Sequence, residues 1–498
     1  MSFSKTDRVK LVNGRVADVV NGCYYDPHIS LILQNGKIVA MPGIPGEPDG
    51  QPVDAEIDLH GMTVIPGLFN THCHLQFLTE KGEDREQQIS KNLSDCLERG
   101  VTNIRDTLSF DLQQNRTWIE KISRGEISGP RIHQAVHIGP LGGTYSPRFT
   151  LQNHLMFSVL GWFHILDYGN QQSGVVAFRP NASPQEVRDA VNRAIDERGA
   201  TTIKLCDQHE HFMTYAPGAA VLTSAQLEAA VDQARRRGIP TTIHNVTVSG
   251  FRQAVKAGIT SLAHLPLDGE LTQEDVTLLL DTNTSIEPTL TVGYFMSYSM
   301  KNSPVSGHPE IQRLDQWRET SYSSFVEESW LPAVQKSHMA QHEALRTGEM
   351  KIFGILDISG PFRYMAKYVP VGGKNLQILV EQGGQNRLGC GNDAGASNCS
   401  PAVVDLELDM LNFAIHQDGK PRMTAADALR IATLQSARSM GVEDQYGSIS
   451  PGKTADLAVI EGDPLQDFHR IGKPVQALFL DGRLVINRCG LQVTCPNP

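Results

Sequence analysis

The stretch that decides the fold is residues 64–76, VIPGLFNTHCHLQ. A short apolar run is broken at Pro66-Gly67 and then ends on two histidines, His72 and His74. Side chains at i and i+2 of a strand share a face. Both imidazoles therefore point into one space, as two ligands of one metal ion do. Cys73 between them points to the opposite face, into packing. A His-x-His pair alone is a weak signal. Its place at the end of a strand, where the active sites of (β/α)8 barrels are built, gives it weight.

Outward from this stretch, apolar strand candidates alternate with helical segments. The strands are expected at 62–65, 102–105, 131–135, 202–205, 241–244, 261–264, 285–290 and 387–391. Helices are expected at 88–99, 184–198, 224–237 and 248–257. Such alternation argues for βαβ units and a parallel sheet. Eight repeats argue for closure into an α/β barrel of the (β/α)8 type, with a doubly wound sheet as the alternative that counting leaves open.

The two ends have another character. VKLVNGRVADVV turns at Asn13-Gly14, SLILQNGKIVAM at Asn35-Gly36, and PVQALFLDGRLVI at Asp481-Gly482, all hairpin signals. We expect a small β-sandwich from residues 1–60 and 447–498 flanking a barrel over 61–446. An insert over 291–377 carries Tyr294, Phe295, Tyr298, Trp317, Tyr322, Phe325 and Trp330. An excursion of this length is either a lid or pocket wall, or a helical layer packed on itself.

Composition bounds the class. Hydrophobic residues are 40% and charged residues 20% of 498, as in a soluble globular enzyme. A formal charge of -11 argues against nucleic acid as a partner. No apolar run reaches the length of a membrane span, so no membrane partner is expected. The first residues lack the apolar core of a signal peptide. Eight scattered cysteines form no CxxC pair, so reduced thiols and a cytoplasmic location are expected. Cys489 and Cys495 near the C-terminal end are close enough in sequence to pair, but a disulfide is not expected there.

Four more metal-type groups fall at expected strand ends. Lys204 closes TTIKL, His244 closes TTIHN, His264 closes SLAH, and Asp393 follows RLGCG. Singly, each reads as an ordinary structural group. Jointly with His72 and His74, they place such groups at the ends of five strands.

These motifs resemble the amidohydrolase superfamily over nearly the whole chain. The resemblance is carried by PGLFNTHCH (66–74), GVTNIRD (100–106), the Lys204 strand and HNVTVSGFRQAVKAGITSLAH (244–264). Residues 392–395, NDAG, and the tail ATLQSARSMGVEDQYGSISPGKTADLAVIEGDP (432–464) complete it. Two histidines twenty residues apart, joined by an Ala-x-x-Ala-Gly helix, resemble the branch of Xaa-Pro dipeptidase-like enzymes, ochratoxin-type amide hydrolases and imidazolonepropionases.

The resemblance implies a metal-dependent hydrolase of C–N amide-type bonds with two divalent ions, zinc by default, bridged by a carboxylated Lys204. It gives His72, His74 and Asp393 to one ion and His244 and His264 to the other. A bridging hydroxide would attack the substrate carbonyl, with Asp393 as general base. Burial beside cations lowers a lysine's pKa, which leaves the neutral amine that captures CO2. A small-molecule substrate and a homo-oligomer are also implied.

Where the dipeptidase-like branch carries Ser-Gly-Gly after the lysine, this chain has CDQHEHF, and where that branch carries Gly-Gly-His it has Gly142-Gly143-Thr144-Tyr145. His137, Tyr145, His209, His211 and Tyr294 are therefore candidate substrate contacts, and a partly apolar, aromatic substrate is expected. The alternatives are a mononuclear deaminase, and a lactone or cyclic-imide hydrolase. Deaminases of the superfamily carry a glutamate three residues after the His244 position, where this chain has Thr247.

Overall fold

The structure is a computed structural model. It describes residues 4–44, 51–77, 84–109, 111–148, 167–211, 217–296, 368–395, 399–415 and 423–494, together with 312, 351–352 and 356–357. Most of the aromatic insert, including Tyr298, Trp317, Tyr322, Phe325 and Trp330, lies outside the described residues, as does Cys495. Helix Leu290–Met296 begins the insert, but the side chains of Tyr294 and Phe295 are likewise outside the description.

Strands at both ends of the chain form two sheets. One runs Val493–Thr494, Ala55–Asp58, Val9–Val12, Leu31–Gln34, Lys37–Ala40. The other runs Arg483–Asn487, Ala477–Leu480, Leu457–Ile460, Thr63–Pro66, Arg15–Asp18, Cys23–Tyr24. Val9, Leu11, Ile57, Val64, Leu457, Val459 and Phe479 meet in one shared apolar core, which makes the pair a sandwich.

Asn35-Gly36 and Asp481-Gly482 are the expected hairpin turns, each with positive φ at both positions. Asn13-Gly14 is not. Asn13 has φ 55°, but Gly14 does not share the positive φ that a two-residue hairpin turn requires. The chain instead crosses from one sheet to the other, and Arg15–Asp18 pairs in parallel with Thr63–Pro66.

The middle of the chain is a barrel of parallel strands. These are β1 (Leu68–Cys73), β2 (Val101–Asp106), β3 (Arg131–Pro140), β4 (Val175–Phe178), β5 (Thr202–Asp207), β6 (Thr241–Asn245), β7 (Ser261–Ala263) and β8 (Ser285–Glu287). They follow the order β8-β7-β6-β5-β3-β2-β1, with β4 paired to the end of β3. The segment 388–394 closes the ring. Leu388 bridges Ile286 and Ala394 bridges Cys73, while the Thr71 amide donates to the Cys390 carbonyl at 2.9 Å.

Two strand expectations need correction. The strand expected at 62–65 belongs to the outer sheet, where Thr63–Pro66 pairs with Leu457–Ile460. The barrel begins only after Gly67, whose missing side chain lets β1 pass Thr102: a Cβ there would sit 2.2 Å from Thr102 Oγ1. The strand expected at 285–290 stops at Glu287, because Pro288 cannot donate to a ladder and Thr289 turns to φ 49°. β4, a four-residue run with Val175, Val176 and Phe178 buried, was too short to stand out in the sequence.

Helices cover the barrel because each has an apolar stripe and a defined start. Pro184–Asp196 opens with a Ser183/Glu186 capping box and buries Val187, Ala190, Val191 and Ala194. Ser224–Arg236 opens with Thr223/Gln226 in the same way. Among the described residues, no helix is long and apolar enough to cross a membrane.

Candidate metal centre

Parallel strands in register bring their C-terminal ends to one end of the barrel, and the candidate residues with them. His137 of β3 is level with Lys204 of β5, and Cys206 of β5 is level with His244 of β6. His264 follows β7 directly, and Asp393 lies near the end of the closing segment. His264 and Asp393 have φ of 72° and 50°. Such conformations cost on the order of 1–3 kcal/mol each for residues with a side chain, and they cluster where function requires them.

The side chains converge. Asp393 Oδ1 lies 3.0 Å from His74 Nε2 and 3.6 Å from His72 Nε2. One ligand atom each from His72, His264 and Asp393 falls within a mutual 4.8 Å. The His244 and His264 ring centroids are 4.4 Å apart, and those of His72 and His264 are 5.2 Å apart. Tyr145 holds the other side of His244, with its hydroxyl 3.2 Å from Nδ1, and stands edge-on to His137. His264 Nδ1 is held by the Thr289 hydroxyl at 2.5 Å.

Burial sets the protonation of this cluster. It pushes His72 and His244 well below the usual imidazole range, with Lys204 adding to the fall at His72 and His264 adding to it at His244. It lowers His264 to about 4 and His137 to about 3. Neutral imidazoles are what a metal ion requires. Lys204 is fully buried, its Nζ has no hydrogen-bond partner, and burial lowers it to about 8. At Asp393 burial pushes upward, but His72 and His74 outweigh it and hold the carboxyl below its ordinary range. Four imidazoles, one carboxylate and one orphaned amine make a donor set suited to divalent ions, as does the orphaned Nε2 of buried-ring His244.

Not every sequence candidate joins the cluster. His209 is exposed and His211 half-buried on the loop after β5, outside the contacts given above. His137 and Tyr145 do join it, through each other and His244.

Three residues came forward only in the structure. Glu287 ends β8 fully buried and reaches His72, Arg105 crosses the barrel to Glu287, and Tyr368 stands edge-on to His264. Their signal in the sequence was slight: a charged residue inside each of two apolar strands, NIRD and SIEP.

Residues 63–485 match the model of the amidohydrolase family. An ochratoxinase of Aspergillus niger is 21% identical over 468 residues, covering 89% of this chain and 79% of that protein. A 5-methylthioadenosine/S-adenosylhomocysteine deaminase of Teredinibacter turnerae is 34% identical over 101 residues, covering 20% of this chain and 22% of that one. A crystal structure of a Xaa-Pro dipeptidase with bound methionine superposes with a TM-score of 0.65 at 20% identity, covering 96% of this chain and all of that one.

Proposed function

The chain belongs to the amidohydrolase family, and from that premise we propose that it hydrolyses a C–N amide-type bond in a small, partly aromatic substrate at two divalent metal ions. His72, His74 and Asp393 would hold one ion, His244 and His264 the other, with a carboxylated Lys204 between them. Such ions, when bound, polarise a substrate carbonyl and make a water molecule acidic at neutral pH.

The observation that carries this reading is the Lys204 amine: buried, without a hydrogen-bond partner, and among four histidines. A bare ammonium there is costly. The neutral amine can instead attack CO2, forming one N–C bond and releasing one proton to give a carbamate. The product is an anion able to bridge two cations, and it answers the orphaned polar atoms around it.

Asp393 has the position for the proton work. Its carboxylate is kept ionised by His72 and His74, so it can accept a proton from an attacking water and return it to the leaving nitrogen. Tyr145 keeps His244 in place through Nδ1, and Thr289 does so for His264. His137 and Tyr145 stand beside His244 as candidate contacts to a substrate carbonyl.

A one-ion deaminase is the second reading, favoured by the compact His72, His264 and Asp393 group and by the short stretch shared with a deaminase. Against it, Thr247 occupies the position three residues after His244 and caps helix Val248–Ala257, accepting from the Gly250 amide, which leaves it no part in proton shuttling.

Metal content per chain, measured beside activity on N-acyl amino acids, aryl amides and lactones, separates the readings. Two ions per chain, one lost with activity in Lys204→Ala, supports the carbamate-bridged hydrolase. One ion per chain, untouched by Lys204→Ala, moves the reading to the deaminase. Turnover of lactones alone moves it to ester opening.

A further inference from the structure

The two oxygens of Glu287 have different surroundings. Oε1 receives the Arg105 guanidinium and the Ser439 hydroxyl. Oε2 has no hydrogen-bond donor and lies 3.6 Å from His72 Nδ1. Both Glu287 and Arg105 are fully buried. Arg105 is itself fixed: Nε donates to the Thr71 carbonyl at 2.8 Å, Nη1 to the Ser439 carbonyl at 3.3 Å, and Nη2 to the Ser261 hydroxyl at 3.4 Å.

A buried ion pair serving packing alone would have both carboxylate oxygens satisfied, since an orphaned buried acceptor loses its hydration without recompense. Here one oxygen is left over and faces the ring nitrogen of a candidate metal ligand. That nitrogen, His72 Nδ1, is also without a hydrogen-bond partner. The neutral imidazole carries one proton, and each ring nitrogen has a carboxylate oxygen 3.6 Å away, Glu287 at Nδ1 and Asp393 at Nε2. Asp393 Oδ1 is closer to His74, at 3.0 Å, which leaves Glu287 to hold the His72 proton. On the far side of the ring, Nε2 faces Asp393 and the space shared with His264.

We propose that Glu287, held by Arg105, is a positioning residue: it accepts the Nδ1 proton of His72 and so turns the Nε2 lone pair toward the metal position shared with His264 and Asp393. The inference rests on the reading of His72 as a ligand. The 3.6 Å separation is longer than a hydrogen bond, so Glu287 and His72 close by several tenths of an ångström when the bond forms. Carboxylates that hold a ligating histidine by its second nitrogen fix both its tautomer and its ring orientation.

The test is made first on the unaltered, metal-stripped chain, with its histidines labelled with nitrogen-15. The His72 ring nitrogens are assigned by their loss in His72→Asn. A proton on Nδ1 near neutral pH supports the proposal; a proton on Nε2 overturns it. Next, Zn2+ affinity is measured by competition with a chelator. Glu287→Gln is expected to lose about 10- to 100-fold, and Glu287→Asp to recover part of that loss. Unchanged affinity in Glu287→Gln overturns the proposal. If Glu287→Gln does not fold, the tautomer of the unaltered chain decides. An unaltered chain that takes up no metal overturns the metal reading itself, and the tautomer is read without any metal.

Discussion

Asp393 Oδ1 stands 3.0 Å from His74 Nε2, joining the end of the barrel-closing segment to the end of β1. The carboxylate is thereby tied to one histidine while His72 lies within 3.6 Å of the same oxygen. Asp393→Asn keeps the shape and removes the charge that, in the proposed mechanism, would hold a cation and take a proton. We expect turnover to fall by about 10²- to 10⁴-fold, with bound metal reduced as well. Full metal content and near-normal turnover would exclude the assigned role. Elemental analysis beside steady-state kinetics reads both.

In the proposed mechanism Lys204, lowered to about 8 by burial, would link activity to CO2. Only the neutral amine captures CO2, and its share grows as pH rises through that value. A chain stripped of metal and CO2 should therefore regain activity faster at pH 8.5 than at pH 6.5 when bicarbonate is added to give equal dissolved CO2, by about 20-fold. Reactivation independent of both bicarbonate and pH would remove the carbamate from the mechanism.

Gly391 is where the closing segment passes β1. A Cβ there would stand 2.7 Å from His72 Cβ and 2.7 Å from Thr71 Oγ1. Both neighbours belong to the strand carrying the histidine pair, so Gly391→Ala must shift His72. The expected cost is about 1–3 kcal/mol of overpacking, with Zn2+ affinity falling in step. Gly383→Ala is the control for glycine replacement with nothing crowding the site: it has no neighbour within 4 Å, and its strain comes from φ 86° alone. Chemical denaturation and metal titration of the two variants make the comparison.

Glu407 is fully buried and accepts the Leu290 amide at 2.9 Å, the Thr291 amide at 2.9 Å and the Thr291 hydroxyl at 2.6 Å. It thus caps the first turn of helix Leu290–Met296, the entry to the long insert. Glu407→Ala leaves these donors without a partner in the interior, for a loss of roughly 2–5 kcal/mol. Glu407→Gln, which keeps one acceptor oxygen, should lose less. Equal stability of Glu407→Ala and the unaltered chain in urea would show that water takes over the cap.

Asp409 carries a stability effect that changes with pH. Burial pushes its carboxyl up to about 6, Asp405 adds to the rise, and His469 at 3.3 Å opposes it. A folded value above the unfolded one means that the folded chain holds more protons between about pH 4 and pH 6. The stabilisation is complete below that window and lost as pH rises through it. Asp409→Asn, neutral throughout, should gain relative to the unaltered chain on going from pH 4 to pH 7, by at most about 3 kcal/mol. Parallel melting curves at the two pH values would contradict this.

Much of the site was legible because metal-type side chains at strand ends are a local pattern. His72 and His74 share a strand face by periodicity, and Lys204, His244, His264 and Asp393 each close an apolar run. Asn13-Gly14 misled because a turn dipeptide reports that the chain bends, not which sheet its far side joins. The strand at 63–66 misled for the same reason: an apolar run states that it is buried, and its partner, Leu457–Ile460, lies at the other end of the sequence.

The sequence by itself therefore determined the class of fold and the chemical kind of its donors, since both follow from periodicity and residue type over short spans. The tertiary structure alone decided that β1 starts at Leu68 rather than 62, and that the stretch expected as a strand at 387–391 closes the ring through isolated bridges rather than a ladder. It also decided that a buried Arg105 and Glu287 meet beneath His72. Those are pairings between strands distant in sequence, fixed by packing, hydrogen bonding and charge compensation in a shared interior. No local pattern records them.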